Sequence, residues 1–79
     1  PKAVKDAVWR KYHGDNGVAK CYVCKDTEIR MTAFDAGHIV SEDHGGKTVV
    51  DNLIPICGTC NKSMSTTNLY EFEKYFKKL

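Results

Sequence analysis

The sequence predicts a small α+β domain whose fold is held together by a zinc ion. Two Cys-x-x-Cys pairs, Cys21/Cys24 and Cys57/Cys60, flank a central stretch with β-branched residues. Apolar residues recur at helical spacing near both ends of the chain. A chain of 79 residues buries only a modest core, and domains of this size often depend on disulfides or a metal for stability.

The N-terminal element is predicted to be a helix over residues 2–13. Val4, Val8 and Tyr12 form one apolar stripe along it. Gly14 follows as a C-terminal stop, because glycine adopts the left-handed conformation that ends many helices. The chain then reaches the first cysteine pair, which we expect to form a tight turn at the end of a strand.

Two strands are predicted between the cysteine pairs. Ile29 to Val40 is predicted to be one strand, or two short strands with a kink at Gly37. A polar loop over residues 41–47 follows, and Thr48-Val49-Val50 is predicted to be a short second strand.

Two further helices are predicted after the second cysteine pair. The first begins near Cys60 and is interrupted at Ser65-Thr66-Thr67. The second runs from Leu69 to about Lys78, with Asn68 as its N-cap. Its apolar stripe comprises four residues at helical spacing: Leu69, Phe72, Phe76 and Leu79. We expect residues 1–79 to form a single domain.

The four cysteines allow either two disulfides or one metal site. The two-residue spacing within each pair lets two thiolates converge on one ion at about 2.3 Å. We therefore expect Cys21, Cys24, Cys57 and Cys60 to bind a structural Zn²⁺, with disulfides and redox-active thiols as the alternatives. Zinc held by free thiolates implies a reducing intracellular compartment, the cytoplasm or the nucleus.

The overall charge is uninformative about partners. The net charge is +2, and four thiolates on one Zn²⁺ would bring the domain close to neutral. Any binding of nucleic acid would therefore need a local basic patch, for which Arg30, Lys47 and Lys62 are candidates that could equally be surface charges. No apolar run approaches the roughly 18 residues that span a bilayer, so no membrane partner is expected. Because the chain begins at Pro1, we expect an excerpt of a longer protein or a processed product.

A histidine and two asparagines accompany the cysteines. His38 precedes Asn52 by 14 positions and Asn61 by 23. Phosphodiester hydrolysis needs a base, and histidine exchanges a proton near neutral pH. It also needs a divalent cation, which a side-chain amide oxygen can bind, and a group that holds the base in place. His38, Asn61 and Asn52 can fill these three roles.

Three segments carry a family resemblance: Ala36-Gly37-His38-Ile39-Val40, Asp51-Asn52-Leu53 and Cys57-Gly58-Thr59-Cys60-Asn61. In order and spacing they resemble the HNH endonuclease family of the ββα-metal, or His-Me finger, nucleases. The cysteine pairs are similar to those of the subset with a treble-clef-like Zn(Cys)₄ support. The resemblance covers about residues 21–64. It implies a ββα-metal finger, with the N- and C-terminal helices flanking it.

The resemblance implies a metal-dependent endonuclease that hydrolyses DNA to 5′-phosphate and 3′-hydroxyl ends. His38 would be the general base that activates water, and Asn61 would bind the catalytic Mg²⁺ or Mn²⁺. Asn52 would tie the loop between the strands so that His38 is correctly aimed. The expected substrate is double-stranded DNA, with a homodimer or an additional specificity domain as a further partner. The alternative is a noncatalytic zinc finger of the same fold that binds DNA or protein.

Position 37 departs from the family pattern. Many members carry Asp or His immediately before the catalytic histidine as a second metal ligand, whereas this chain has Gly37. The run Asp35-Ala36-Gly37-His38 is instead similar to the D-x-G-H run of nonspecific nucleases in the same superfamily. That similarity implies Asn61 as the one protein ligand, helped by Asp35 or by the substrate phosphate, and weak metal binding without DNA.

Overall fold

The computed structural model describes residues 2–77. It contains three α-helices and two small antiparallel sheets within those residues, in the order α1 (Lys2–His13), β1 (Val18–Lys20), β2 (Glu28–Arg30), β3 (Asp35–His38), β4 (Leu53–Ile56), α2 (Gly58–Met64) and α3 (Leu69–Lys77). Two short 3₁₀ turns, Glu42–His44 and Val50–Asn52, lie between β3 and β4. The predicted α+β class is confirmed.

The first helix has the predicted limits, and it supplies the centre of the core. Gly14 ends it with φ +57°, donating its N–H to Arg10 O at 3.0 Å. Trp9 is completely buried, and its indole Nε1 donates to Asn16 O at 2.7 Å. The Trp9 ring also packs 5.1 Å from that of Phe34. This packing ties α1 to the segment that leads into β3.

The predicted strand from Ile29 to Val40 is wrong in its continuity. The chain turns at residues 31–33, where Ala33 N–H donates to Arg30 O at 2.9 Å. The turn separates β2, which pairs with β1, from β3, which pairs with β4. No kink forms at Gly37, which lies in regular register opposite Ile54.

The second strand of the central hairpin lies later than predicted. Thr48 and Val49 are in a loop, and β4 begins at Leu53. All four residues of β4 are buried, whereas Val49 is 47% exposed. Burial therefore selects the Leu-Ile-Pro-Ile run, although it contains Pro55, a residue that usually disfavours strand assignments.

The β3–β4 hairpin and α2 form the ββα unit of the fold. Asp35 pairs with Ile56 and His38 with Leu53, so β3 runs antiparallel to β4 along its whole length. After β4 the chain enters α2 at Gly58, two residues before the predicted start near Cys60. The α2 helix lies against β3.

The last helix starts at Leu69 as predicted, and Leu69 is completely buried. The predicted positions Lys78 and Leu79 lie outside the described residues. Asn68 directly precedes the helix, and its carbonyl accepts from Phe72 N–H at 3.0 Å. Its side-chain Oδ1 accepts from Ser41 N–H at 2.8 Å. Asn68 thus connects the start of α3 to the loop after β3.

One core cluster unites these elements. It comprises aromatic, aliphatic and cysteine side chains, each at most 7% exposed: Trp9, Cys21, Val23, Ile29, Phe34, Ile54, Ile56, Cys57, Cys60, Met64 and Leu69. Three of the four cysteines belong to this cluster. Among the described residues no helix is long and apolar enough to cross a membrane.

Candidate functional site

The four cysteines converge on one point between the two turns that carry them. Their sulfur atoms all lie within 4.8 Å of one another, and Cys21, Cys57 and Cys60 are buried. Each turn also directs a backbone N–H at a sulfur three residues earlier, from Thr27 to Cys24 at 3.5 Å and from Cys60 to Cys57 at 3.4 Å. Four thiolates in a closed set are the ligands of a structural zinc site. The predicted cysteine cluster is therefore confirmed as compatible with a structural metal such as zinc.

The thiols of this cluster differ in acidity. Burial raises the pKa of Cys21 and of Cys60. Burial acts in the same direction on Cys24, but hydrogen bonds from the N–H groups of Thr27 and Asp26 and with the Thr27 hydroxyl outweigh it and lower the pKa of Cys24 to about 6. Burial in apolar surroundings raises the pKa of a thiol and so favours its protonated form. A bound metal ion lowers the pKa of its thiol ligands and favours the thiolate.

His38 and Asn61 line the same cavity. His38 is the last residue of β3, and Asn61 lies in the middle of α2. A cavity of about 260 Å³ between them is also lined by Asp35, Thr48 and Lys5. We call it the site cavity. His38 and Asn61 also share a smaller cavity of about 130 Å³ on the side of the loop after β3. The ββα hairpin thus brings together two of the three residues of the His–Asn–Asn series.

The His38 ring is held by one side-chain contact. Its Nε2 lies 3.1 Å from Thr48 Oγ1, across the loop between β3 and β4. Within residues 2–77 its Nδ1 has no hydrogen-bond partner. One ring nitrogen is therefore engaged with a hydroxyl, and the other is free to form a hydrogen bond.

Asp35 and Asn61 are direct neighbours. Asn61 Nδ2 donates to Asp35 Oδ2 at 3.0 Å, and both side chains are partly buried. Asn61 Oδ1 accepts no hydrogen bond from residues 2–77. The Asp35 carboxylate and the free Asn61 Oδ1 are oxygen donors of the kind that a hard divalent cation prefers.

Asn52 lies outside this cavity and closes the loop that begins after His38. Its Oδ1 accepts from Val40 N–H at 2.9 Å, and its Nδ2 donates to Val40 O at 3.0 Å and to Lys47 O at 2.9 Å. Its own carbonyl accepts from Ile39 N–H at 2.8 Å. The side chain thus replaces the strand pairing that stops at His38.

A glycine permits this arrangement. A Cβ at Gly46 would lie 1.8 Å from Val40 O and 2.8 Å from Asn52 Nδ2. Only a residue without a side chain fits where the loop returns to Val40. Gly46 is therefore a packing requirement of the loop closure by the Asn52 side chain, which we call the Asn52 clasp. Gly45 has open space around it and is instead required for its positive φ of +89°.

We expect Asn52→Ala to lower the free energy of unfolding by about 1–3 kcal/mol, because the three side-chain hydrogen bonds that close the loop are lost. Urea denaturation of the zinc-loaded protein measures the change. Asn16→Ala, at an exposed position, is the matched control and should change stability by less than about 0.5 kcal/mol. Equal losses of unfolding free energy in the two variants would contradict the stabilising role of the Asn52 side chain.

Gly37 faces the core rather than the site cavity. A Cβ there would lie 2.5 Å from Ile56 Cδ1 and 3.3 Å from Leu69 Cδ1. A side chain at position 37 would therefore meet buried apolar atoms. The packing of β3 explains why this position carries no ligand in this chain.

Two residues of the site cavity were not singled out by the sequence analysis as site residues. Thr48 contacts His38, and Lys5 reaches the cavity from α1, where its Nζ donates to Phe34 O at 2.6 Å. A lone threonine in a loop and a lysine in a distant helix carry no local motif. Only the tertiary structure places them beside the histidine.

Comparison with known proteins gives one match. A sequence model of the HNH endonuclease family matches residues 21–67, which include both cysteine pairs and the ββα unit. No curated protein and no solved structure matches the chain significantly. The matched segment covers more than half of the chain, and the site cavity with its cysteine support lies within it except for residues of α1. The chain therefore belongs to the HNH endonuclease family.

Proposed function

We propose that the protein is a metal-dependent HNH endonuclease that hydrolyses phosphodiester bonds of DNA, leaving 5′-phosphate and 3′-hydroxyl ends. The observation that carries the proposal is the shared cavity of His38 and Asn61. Both residues lie inside the segment that matches a nuclease family. A module that only binds DNA has no need of a histidine and an asparagine–carboxylate pair that line the same cavity.

His38 is the proposed general base. When Nε2 carries the ring proton and donates it to Thr48 Oγ1, Nδ1 is the free acceptor. Nδ1 then takes the proton of the attacking water as the water oxygen bonds to phosphorus and the bond from phosphorus to the 3′ oxygen breaks. The 3′ oxygen leaves with the electron pair and takes a proton from solvent. Thr48 is a positioning residue in this scheme, because its hydroxyl selects the tautomer and fixes the plane of the ring.

Asn61 and Asp35 are the proposed ligands of the catalytic cation, through Asn61 Oδ1 and the Asp35 carboxylate. When bound, Mg²⁺ or Mn²⁺ would neutralise charge on the phosphate oxygen and on the leaving 3′ oxygen. Gly37 adds no ligand, so the substrate phosphate and water would complete the coordination. We therefore expect weak metal binding in the absence of DNA.

Asn52 is proposed to act on catalysis only indirectly. Its side chain closes the loop over residues 40–47. Thr48 follows directly on that loop. The clasp therefore determines where the Thr48 hydroxyl meets His38, and a shifted loop would misplace the base.

The wider setting of the activity follows from the same features. We propose that residues 1–79 form one domain that acts on double-stranded DNA. One site cuts one strand, so a homodimer or an additional specificity domain would be needed for cleavage of both. Thiolate ligands need reducing conditions, so we propose an intracellular location, in the cytoplasm or the nucleus.

Nicking of supercoiled plasmid by the purified, zinc-loaded protein tests the function. We expect conversion to the open-circular form with Mg²⁺ or Mn²⁺, and none when a chelator removes the free divalent cation. A folded, zinc-loaded protein that leaves the plasmid intact at high Mn²⁺ would overturn the nuclease and favour a noncatalytic zinc finger that binds DNA or protein.

We expect Thr48→Val to slow nicking about 10- to 100-fold, the usual effect of removing a group that orients an active-site histidine. The loss should appear in kcat with little change in KM, since Thr48 acts through His38. Thr48→Ser, which retains the hydroxyl, should restore most of the rate. Thr59→Val, at an exposed position on α2, is the matched control. A Thr48→Val enzyme as fast as this control would contradict the positioning role.

A further inference from the structure

A larger cleft lies beside the site cavity, between α1 and the segment leading into β3. Its volume is about 710 Å³. It is lined by three cationic side chains of α1, Lys2, Lys5 and Arg10, and by the carboxylate of Asp6. Trp9 and Phe34 also line it. We call it the α1 cleft. Its lining is positively charged, although the chain as a whole is near neutral once four thiolates bind zinc.

Lys5 joins the α1 cleft to the site cavity, because it lines both. Its Nζ donates to Phe34 O at 2.6 Å and lies 4.7 Å from the centre of the Phe34 ring. The side chain is thus held in place rather than extended into solvent. Its charge lies at the boundary between the cavity of His38 and the cleft.

The other two cations of the cleft are available to a ligand. Lys2 and Arg10 are exposed, and neither forms an ion pair within residues 2–77. Arg30, a candidate for phosphate contact from sequence, is instead paired with Glu28 at 2.9 Å. Lys2 and Arg10 therefore place unpaired positive charge beside the site on α1, outside the segment that matches the family.

The spacing of these cations suits a polyanion. Lys2 and Arg10 are eight residues apart, or about 12 Å along the helix axis. One strand of a duplex carries a charge about every 3.4 Å along its axis, so this length corresponds to roughly three or four phosphates. Three cations at the edges of an open cleft can neutralise such a run.

We propose that the α1 cleft binds the phosphate backbone of one DNA strand next to the scissile bond, with Lys5 at the junction. This inference rests on the proposed function, since it takes DNA as the ligand. It assigns substrate binding to a helix outside the matched family segment. It also explains how a nearly neutral domain can hold a polyanion.

The test measures DNA binding separately from cleavage. A fluorescein-labelled 20-base-pair duplex is titrated with zinc-loaded His38→Ala protein in Mg²⁺ at several KCl concentrations, with and without Lys2→Gln and Arg10→Gln. We expect each substitution to weaken binding roughly five- to tenfold at about 0.1 M salt and to lower the slope of log K against log[salt] by about one. Lys74→Gln, on the exposed face of α3, is the control. An equal effect of Lys74→Gln, or no effect of the cleft substitutions, would overturn the proposal.

Nicking by the same substitutions in the active protein distinguishes the two proposals. We expect a raised KM with kcat nearly unchanged. If the unsubstituted protein nicks DNA but the cleft variants bind it with an unchanged salt slope, the proposal that the α1 cleft binds DNA is wrong and the proposed nuclease function is retained. If the cleft substitutions lower the slope of log K against log[salt] but the unsubstituted protein never nicks DNA, the α1 cleft binds DNA and the proposed nuclease function is wrong.

Discussion

Metal-dependent nicking should disappear in His38→Ala while the zinc-loaded fold persists. General-base catalysis by a positioned side chain contributes about 10²–10⁴-fold to a rate, and alanine removes the whole of that contribution. The imidazole has one hydrogen-bond partner, Thr48, within the described residues. Its loss should therefore lower the free energy of unfolding by only about 1 kcal/mol. Single-turnover cleavage of plasmid under saturating protein measures the rate without interference from product release.

The matched control for this variant is His44→Ala. His44 is exposed in the loop after β3, where its Nδ1 lies 2.6 Å from Ser41 Oγ. It lines neither cavity of the candidate site. We expect its nicking rate to stay within about threefold of wild type. Cleavage that persists in His38→Ala, or that is lost equally in His44→Ala, would contradict the assignment of the base.

Removal of zinc should unfold the protein. Structural zinc contributes apparent binding energies of about 10–16 kcal/mol in small domains at neutral pH, whereas whole domains are stable by only about 5–15 kcal/mol. Three of the four metal-binding cysteines are also part of the apolar core. The four-cysteine site joins the β1–β2 hairpin to the start of α2. Far-ultraviolet circular dichroism during titration with a chelator, with released zinc measured in parallel, should show the loss of structure and of metal together.

Substitution of a cysteine ligand gives an independent measure of how far the fold depends on zinc. Cys60→Ser removes one of the four zinc ligands, and the remaining three thiolates should bind zinc more weakly. We expect the thermal unfolding transition to lose its cooperativity or its Tm to fall by roughly 20 °C or more. Ser63→Ala, an exposed position on the same helix, is the control and should retain the wild-type transition. A metal-free protein with an unchanged Tm would show that the apolar core alone holds the fold.

The helices at the two ends of the chain could be predicted because their signals are local. Periodic apolar residues and Gly14 define α1, and Leu69 marks the start of α3. The second strand of the hairpin lies later than predicted, because a short β-prone run such as Thr48-Val49-Val50 has the same local appearance as a real strand. What separates it from Leu53–Ile56 is burial under α1, which is a tertiary property.

The site was predictable to the extent that it repeats a family pattern. His38, Asn61 and Asp35 do meet at one cavity, and the four cysteines do converge. Lys5 could not be predicted, because it comes from a helix 30 residues before Asp35 that the pattern does not include. Its position depends on how Trp9 and Phe34 pack together, which no single segment encodes.

The packing of Gly37 also limits which side chains this position of the fold can accept. An aspartate at position 37 would place its Cβ 2.5 Å from Ile56 Cδ1, and overpacking alone costs about 1–3 kcal/mol. Burial of the new carboxylate would add to that loss. An aspartate there would also point into the core rather than the site cavity, so it could not serve as a further cation ligand without a change in the packing of β3.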